Sequence, residues 1–259
     1  MRSATLRLLV IPVALYSAWV LELFLLGGRV NIFGRSDPYG LFLYTLIACI
    51  ITGIGAPLFC IRRAFLSGAV NMFQIGFRSL RRTVLTTLLT GVGICGIMIL
   101  FNPFGTDRIA FINAFVLLLP TAITSVMMCW VLLGTHVQAF VRRGGSLVSL
   151  TSGIAVTTVL YSITTFAYLP PLVRQDLFLS FIYTGFVTAI FFFAVRDVYS
   201  ASLVAGAGSV FSMSGYIDPS YLQNTVQYIW ISSGLVFFTL ILIHWYLARN
   251  FVTIKVPAV

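Results

Sequence analysis

The chain has 259 residues, of which 59% are hydrophobic and 8% charged, and its mean hydropathy is +1.03. Such a composition excludes an ordinary soluble domain. The net charge of +10 would suit nucleic acid only if the basic residues formed one contiguous polar face, but here arginines bracket apolar runs, as residues meeting headgroups do; a membrane is expected as the partner and nucleic acid is not.

The opening MRSATLRLLVIPVALYSAWVLELFLLGG has a basic start and an apolar run too long for a cleaved signal, so it reads as a retained first span, Leu8 to Leu26. It carries Glu22, the only glutamate in the chain. A carboxylate inside a membrane is a functional candidate by default. Glu22 lies near the Gly27–Gly28 exit, however, so snorkelling to the interface is expected. Asn31, Gly34 and Asp37–Pro38 supply turn chemistry, and a second span from Gly40 to Ile61 ends at Arg62–Arg63. In the stretch that follows, Phe65, Leu66, Val70, Phe73, Phe77 and Leu80 recur at helical spacing among polar residues and arginines. That pattern predicts an interfacial amphipathic helix or a downward extension of the third span.

The third span, Thr83 to Leu100, is rich in small residues at Gly91, Gly93, Cys95 and Gly96, a face expected to pack against protein. A turn follows at Asn102–Pro103–Phe104–Gly105. The stretch from Asp107 to Gly145 organises the rest, because it carries no charged side chain from Ile109 to Thr135 and exceeds the roughly 20 residues that cross a bilayer. Asn113, Thr121, Thr124 and Ser125 must find partners on neighbouring helices. Pro120 removes one backbone donor, which predicts a kink or a helix contact near the middle. The fifth span, Leu147 to Leu169, holds many hydroxyls that can bond back to helix carbonyls without any pore. It ends at Pro170–Pro171.

From Leu177 to Met213 the chain is apolar except for Arg196–Asp197, so either one very long helix crosses or two shorter ones meet there. Adjacent residues on a helix do not face each other, so each member of that pair needs another partner. A loop with Asp218–Pro219 leads to a last span, Tyr228 to Leu247, whose Trp230, His244, Trp245 and Tyr246 make interfacial belts. With the long segment counted once there are seven spans, and the fifteen basic residues other than Arg196, which falls inside that segment, divide nine to six in favour of the side on which the chain starts.

The four cysteines Cys49, Cys60, Cys95 and Cys129 lie apart in apolar runs without CxxC spacing, and His136 and His244 are far from each other; neither a zinc pattern nor a disulfide framework is expected. HExxH, GxSxG, GxGxxG and Walker patterns are missing from the sequence, and the six acids are dispersed, whereas acid–base catalysis wants paired titratable groups. No catalytic, cofactor-binding or metal residue is therefore expected. The expected architecture is an all-α polytopic helical bundle forming a single membrane domain over residues 1–259, with two first helices in 1–61, an interfacial connector in 62–82 and a five-helix bundle in 83–259.

Two likenesses bear on function. Asn102–Pro103 precedes Ile112–Asn113, Val116–Leu117–Leu118 and Gly134, the closing span reads YIWISSGLVFFTLILIHWY, the 177–213 run suits a very long sixth helix, and Arg78, Arg81 or Arg82 gives the third helix a basic start. On these residues the chain resembles a strongly diverged subunit III of mitochondrial haem–copper cytochrome c oxidase, over roughly Pro38 to Tyr246. The family's intramembrane glutamates and histidines would fall at Gly91, Met128–Cys129, Thr165, Ile190 and Phe193, none of which carries them. The resemblance implies a non-catalytic core subunit of complex IV that stabilises subunit I and holds lipids in the mitochondrial inner membrane, or in a bacterial plasma membrane. Haem a and copper would sit in partner subunits, with none bound by this chain. Phospholipid contacts would involve Arg62, Arg63 and Arg78, with Asn113, Gly91, Gly93, Gly96 and Trp245 as packing residues. A second likeness is to intramembrane proteases of the CAAX-processing type, through FIYTGFVTAIFFFAVRDVYSASLVAG. It implies an inactive member, because the Glu–Glu and histidine positions would be Thr124–Ser125, Thr165 and Ala205. A permease-type membrane subunit is a third class compatible with the spans.

Overall fold

In hydrocarbon every backbone N–H and C=O must be satisfied within its own segment, so long apolar runs fold as helices. The computed structural model describes residues 2–30, 37–66, 72–101, 108–168, 174–216, 222 and 226–251, and these contain no strand. The helices are α1 (Arg2–Val30), α2 (38–66), α3 (Met72–Ile75), α4 (Leu80–Phe101), α5 (Arg108–Val141), α6 (Ser146–Tyr168), α7 (Arg174–Val195), α8 (Val198–Met213) and α9 (Val226–Phe251). Seven are long and apolar enough to cross a membrane, and α8 is a shorter apolar helix. The chain is an all-α, multi-pass membrane bundle. The turns expected at Asn31–Gly34, Asn102–Gly105, Pro170–Pro171 and Asp218–Pro219 lie outside the described residues.

Local chemistry sets the ends and the irregularities. Asp37 caps α2, its carboxylate accepting from Gly40 N at 3.1 Å, with Pro38 at the first helical position. Both α2 and α5 widen into π-helix, over Thr45–Gly55 and Val126–Gly134. The two helices meet at Gly53, where an added Cβ would stand 2.7 Å from the Thr124 Cβ. Only glycine lets the backbones approach so closely.

The core is α5, buried almost throughout; Thr121 meets the Tyr44 hydroxyl of α2, whereas Thr124 bonds back to Thr121 O on its own helix and Ser125 Oγ has no partner among the described residues. Asn113 Nδ2 donates to Leu222 O at 2.8 Å and its Oδ1 accepts from Trp230 Nε1 at 3.1 Å. Proline at 120 leaves the Val116 carbonyl without its helical donor, and the Ser233 hydroxyl of α9 donates to that carbonyl instead. In α6 the hydroxyls of Thr157, Thr158, Ser162, Thr164 and Thr165 bond back to carbonyls one turn earlier, so this polar helix needs no aqueous pathway.

The structure corrects the long sixth helix. The 177–213 run breaks at Arg196–Asp197 and folds back, so that Ser180 Oγ on α7 lies 2.6 Å from Ser212 Oγ on α8 and Thr184 Oγ1 lies 3.3 Å from the same atom. The two helices are antiparallel. At about 24 Å, α8 is shorter than the roughly 30 Å hydrocarbon core. Its position inside the bundle, with Gly206 against Phe115 and Ala122 of α5, makes that length sufficient, because protein rather than lipid surrounds most of it.

The hairpin also replaces the nine-to-six charge count. It returns α9 to the end at which the chain starts, and the order of the spans gives that end Arg2, Arg7, Arg62, Arg63, Arg78, Arg81, Arg82, Arg142, Arg143, Arg196, Arg249 and Lys255, twelve basic residues. The opposite end keeps four, Arg29, Arg35, Arg108 and Arg174. Of these sixteen, Arg35 and Lys255 lie outside the described residues and are assigned by connectivity alone.

Three local expectations also change. Among its described residues the connector after α2 holds one turn, α3, broken at Gly76 with φ +88°, where Ile75 and Phe77 are drawn under the bundle as buried residues, and the third span extends back only to Leu80. On the small face of α4, Gly91 lies against Leu203 of α8, but no described residue covers the rest, since added Cβ atoms on Gly93 and Gly96 would meet nothing within 4 Å, and Cys95 is exposed. Trp245 is 60% exposed and lies under the Arg249 guanidinium at 5.3 Å rather than packing into the core.

Candidate functional site

The break between α7 and α8 is the most polar place in the described fold. Arg196 takes the left-handed conformation, φ 55°, a cost that a non-glycine residue bears only where its surroundings enforce it. Asp197 follows in extended conformation and caps α8, its Oδ1 accepting from Ser200 N at 2.8 Å and Ser200 Oγ at 2.9 Å. The Arg196 side chain runs back toward the connector. Nη1 donates to Gln74 O at 3.0 Å, Nη2 donates to Gln138 Oε1 at 2.8 Å, and the guanidinium sits 4.8 Å from the Phe193 ring centroid.

Three more elements close this knot. Arg78 Nε donates to Arg196 O at 2.9 Å, and Val198 N donates to Gly76 O at 3.1 Å. His244 on α9 faces the Arg78 carbonyl through Nε2 at 2.7 Å and the Tyr199 hydroxyl through Nδ1 at 3.3 Å. A carbonyl can only accept, so Nε2 carries the proton. Burial first, and then the Arg78 guanidinium, lower Arg196 from its ordinary value to about 10, which leaves it charged at neutral pH. Arg78 is likewise lowered by burial and by Arg82, with Asp197 acting in the opposite sense. Asp197 is fully buried, and its Oδ2 has no hydrogen-bond partner among the described residues. The arrangement fixes the hairpin to α9 and to the connector. The adjacency of Arg196 and Asp197 signalled it in the sequence, whereas Gln74, Gln138 and His244 gave no local sign of joining it.

The arginines expected at headgroups divide. Arg62 is exposed at the end of α2, the side chain of Arg63 lies outside the described residues, and Arg78 is half-buried with its Nε turned into the knot. Glu22 does not simply snorkel. It is half-buried on α1, and Thr52 Oγ1, in the π segment of α2, donates to its Oε2 at 2.6 Å. The same hydroxyl lies 2.9 Å from Ile47 O, and Trp19 Nε1 donates to Ala48 O at 2.9 Å. The carboxylate thus ties α1 to α2.

A second region is the hydroxyl-rich interior between α5, α6 and α8. Thr124, Ser125, Thr165 and Ala205 are all buried. The Tyr161 and Ser209 hydroxyls are 2.9 Å apart. Thr165 Oγ1 donates to Tyr161 O at 3.3 Å within α6, and Ser209 Oγ donates to Ala205 O at 2.8 Å within α8, so the Tyr161–Ser209 contact links α6 to α8. On α5, Ala122 lies one turn before Ser125 and 3.7 Å from where a Cβ on Gly206 would stand. Ser125 Oγ and Trp130 Nε1 are buried without a hydrogen-bond partner among the described residues. Hydroxyls and an indole fill this space, with no carboxylate or imidazole from those positions. No known protein family, curated protein or solved structure matches this chain.

Proposed function

We propose that this chain is a non-catalytic membrane subunit acting through its helix surfaces, built in the manner of the CAAX-processing intramembrane proteases with the acid–base positions replaced. The observation that carries the reading is the fold-back at Arg196–Asp197, which brings α8 into the interior beside α5 and α6. The positions that this likeness assigns to Glu–Glu and histidine, Thr124–Ser125, Thr165 and Ala205, are then all buried, on α5, α6 and α8, with Thr124 turned toward Gly53 of α2. Threonine and serine hydroxyls do not titrate near neutral pH, and alanine has nothing to titrate, so these positions lack a group to draw a proton from water.

The likeness to oxidase subunit III loses its uninterrupted sixth helix but keeps one supporting observation. Among the described residues nothing covers the Gly93–Gly96 face of α4, as a subunit seated against another chain requires. That reading would give the chain subunit I as a neighbour and the mitochondrial inner membrane as its site. Mild detergent extraction, native electrophoresis and a reduced-minus-oxidised spectrum of the band separate the two. A haem-free band supports the first reading, and haem a absorption with subunits I and II in the band overturns it in favour of the second. Protease activity on a prenylated peptide would sink the claim that the interior is catalytically silent.

A further inference from the structure

The hairpin concentrates the charge of the chain on one end. Twelve basic residues belong to that end against a single acid, Asp197, while the other end sets four arginines against Asp37, Asp107, Asp176 and Asp218, of which Asp107 and Asp218 lie outside the described residues and are assigned by connectivity alone. With Glu22, which lies on α1 toward the second end, that end sums to −1 against +11 at the first, so the excess of the +10 chain belongs to the first. Asp197 is buried in the knot, so it cannot neutralise Arg62, Arg81, Arg82 and Arg142, which are exposed at the same end. Apolar flanks place these guanidinium groups at headgroup level, where their counter-charge must come from outside the chain.

We propose that this end seats on the anionic phospholipid headgroups of its leaflet, through Arg62, Arg81, Arg82 and Arg142, and that it therefore faces the cytoplasm or matrix. Juxtamembrane arginines are attracted to anionic surfaces individually and roughly additively, and basic connections are retained on that side. The opposite end, being close to balanced, has no such preference. This inference rests on the hairpin and not on either of the two functional readings.

The chain contains its own reporters. Trp245 is exposed near the basic end beside Arg249, Trp230 is exposed near the balanced end, and Trp19 and Trp130 are buried. In the full chain carrying Trp230→Phe, brominated phosphatidylglycerol should quench Trp245 in preference to brominated phosphatidylcholine. Substitution of Arg81→Gln and Arg82→Gln should lower that preference about five-fold per arginine, and about 0.5 M salt should shrink it. Arg108→Gln at the balanced end should leave it unchanged. With Trp245→Phe, the remaining Trp230 should show no preference. Equal quenching of Trp245 by the two lipids overturns the proposal, as does an equal anionic preference at Trp230. A preference that survives both arginine substitutions and high salt overturns it as well.

Discussion

A cysteine pair at Ser180 and Ser212 separates a hairpin from an unbroken helix by more than an order of magnitude in distance. The two hydroxyl oxygens are 2.6 Å apart across α7 and α8, and sulfurs in their place need only a small rotation to reach the roughly 2.05 Å of a disulfide. On one continuous helix the same residues, 32 apart in sequence, would be separated by about 48 Å. In a background with Cys49, Cys60, Cys95 and Cys129 replaced, Ser180→Cys with Ser212→Cys should oxidise with copper–phenanthroline and lose both thiols to a maleimide label. A control pair, Ser180→Cys with Ser200→Cys, should not, since about sixteen residues of α7 separate Ser180 from the turn, roughly 24 Å. The closed loop should raise the unfolding free energy by no more than about 3–4 kcal/mol, less in a bilayer where unfolded helices stay inserted. Free thiols in the first pair after oxidation, with the control equally unreactive, would refute the fold-back.

The remaining tests use unfolding in mixed detergent–SDS micelles unless stated. Asp197→Ala should cost about 1–2 kcal/mol through loss of the α8 cap, and Asp197→Asn distinctly less because it keeps an acceptor for Ser200; equal losses would mean that charge, not capping, is what the position supplies. Gly208→Ala should cost about 1–3 kcal/mol, because its Cβ would fall 2.4 Å from Thr184 Cγ2, and Thr184→Ala should relieve much of that loss; additive effects would contradict the contact. Thr52→Val should cost about 1 kcal/mol, discounted because Glu22 is half-exposed, and much less in a Glu22→Gln background; an unchanged cost there would show that the hydroxyl serves the α2 backbone instead. Cysteines at Ser79, Ser146 and Arg249 should all react with an impermeant label from one side of sealed vesicles, whereas an unbroken 177–213 helix puts the third on the other side.

The sequence told most where hydrocarbon leaves a residue no alternative. Asn113, with four hydrogen-bonding valences and no water, had to reach another segment, and it meets Leu222 and Trp230. Proline at 120 had to free a carbonyl, and only the identity of its new donor, Ser233, was beyond local reading. The hydroxyls of α6 returned to their own backbone because the i−4 carbonyl is always in reach. Gly93 and Gly96 misled for the opposite reason, whereas Gly91 does face Leu203 of α8. Small residues permit close approach but do not command it, and hydrocarbon covers an uncovered glycine at little cost. Glu22 misled because distance to the interface was weighed without Thr52, which lies 30 residues away and is turned toward the carboxylate.

The Arg196–Asp197 pair shows why topology was the least legible level. Hydropathy cannot distinguish one long apolar helix from two, since both read as an apolar run, and the two charges decide only once their partners are known. On a straight helix each would enter lipid or protein singly, at high cost. In the hairpin, Asp197 closes the first turn of α8 and Arg196 draws on two glutamines and an aromatic face contributed by the α3 connector, α5 and α7. Those contributors are 58 to 122 residues away from Arg196 in the two hydrogen bonds, so no window along the chain contains them. Yet the parity of every later segment depends on that one turn. Breaking the helix there moves α9 and the basic residues that follow to the end where the chain starts, and it converts a nine-to-six division into twelve-to-four. A charge asymmetry of that size is what membrane insertion selects for, so the electrostatics of the whole chain supports the break independently of the hydrogen bonds that hold it.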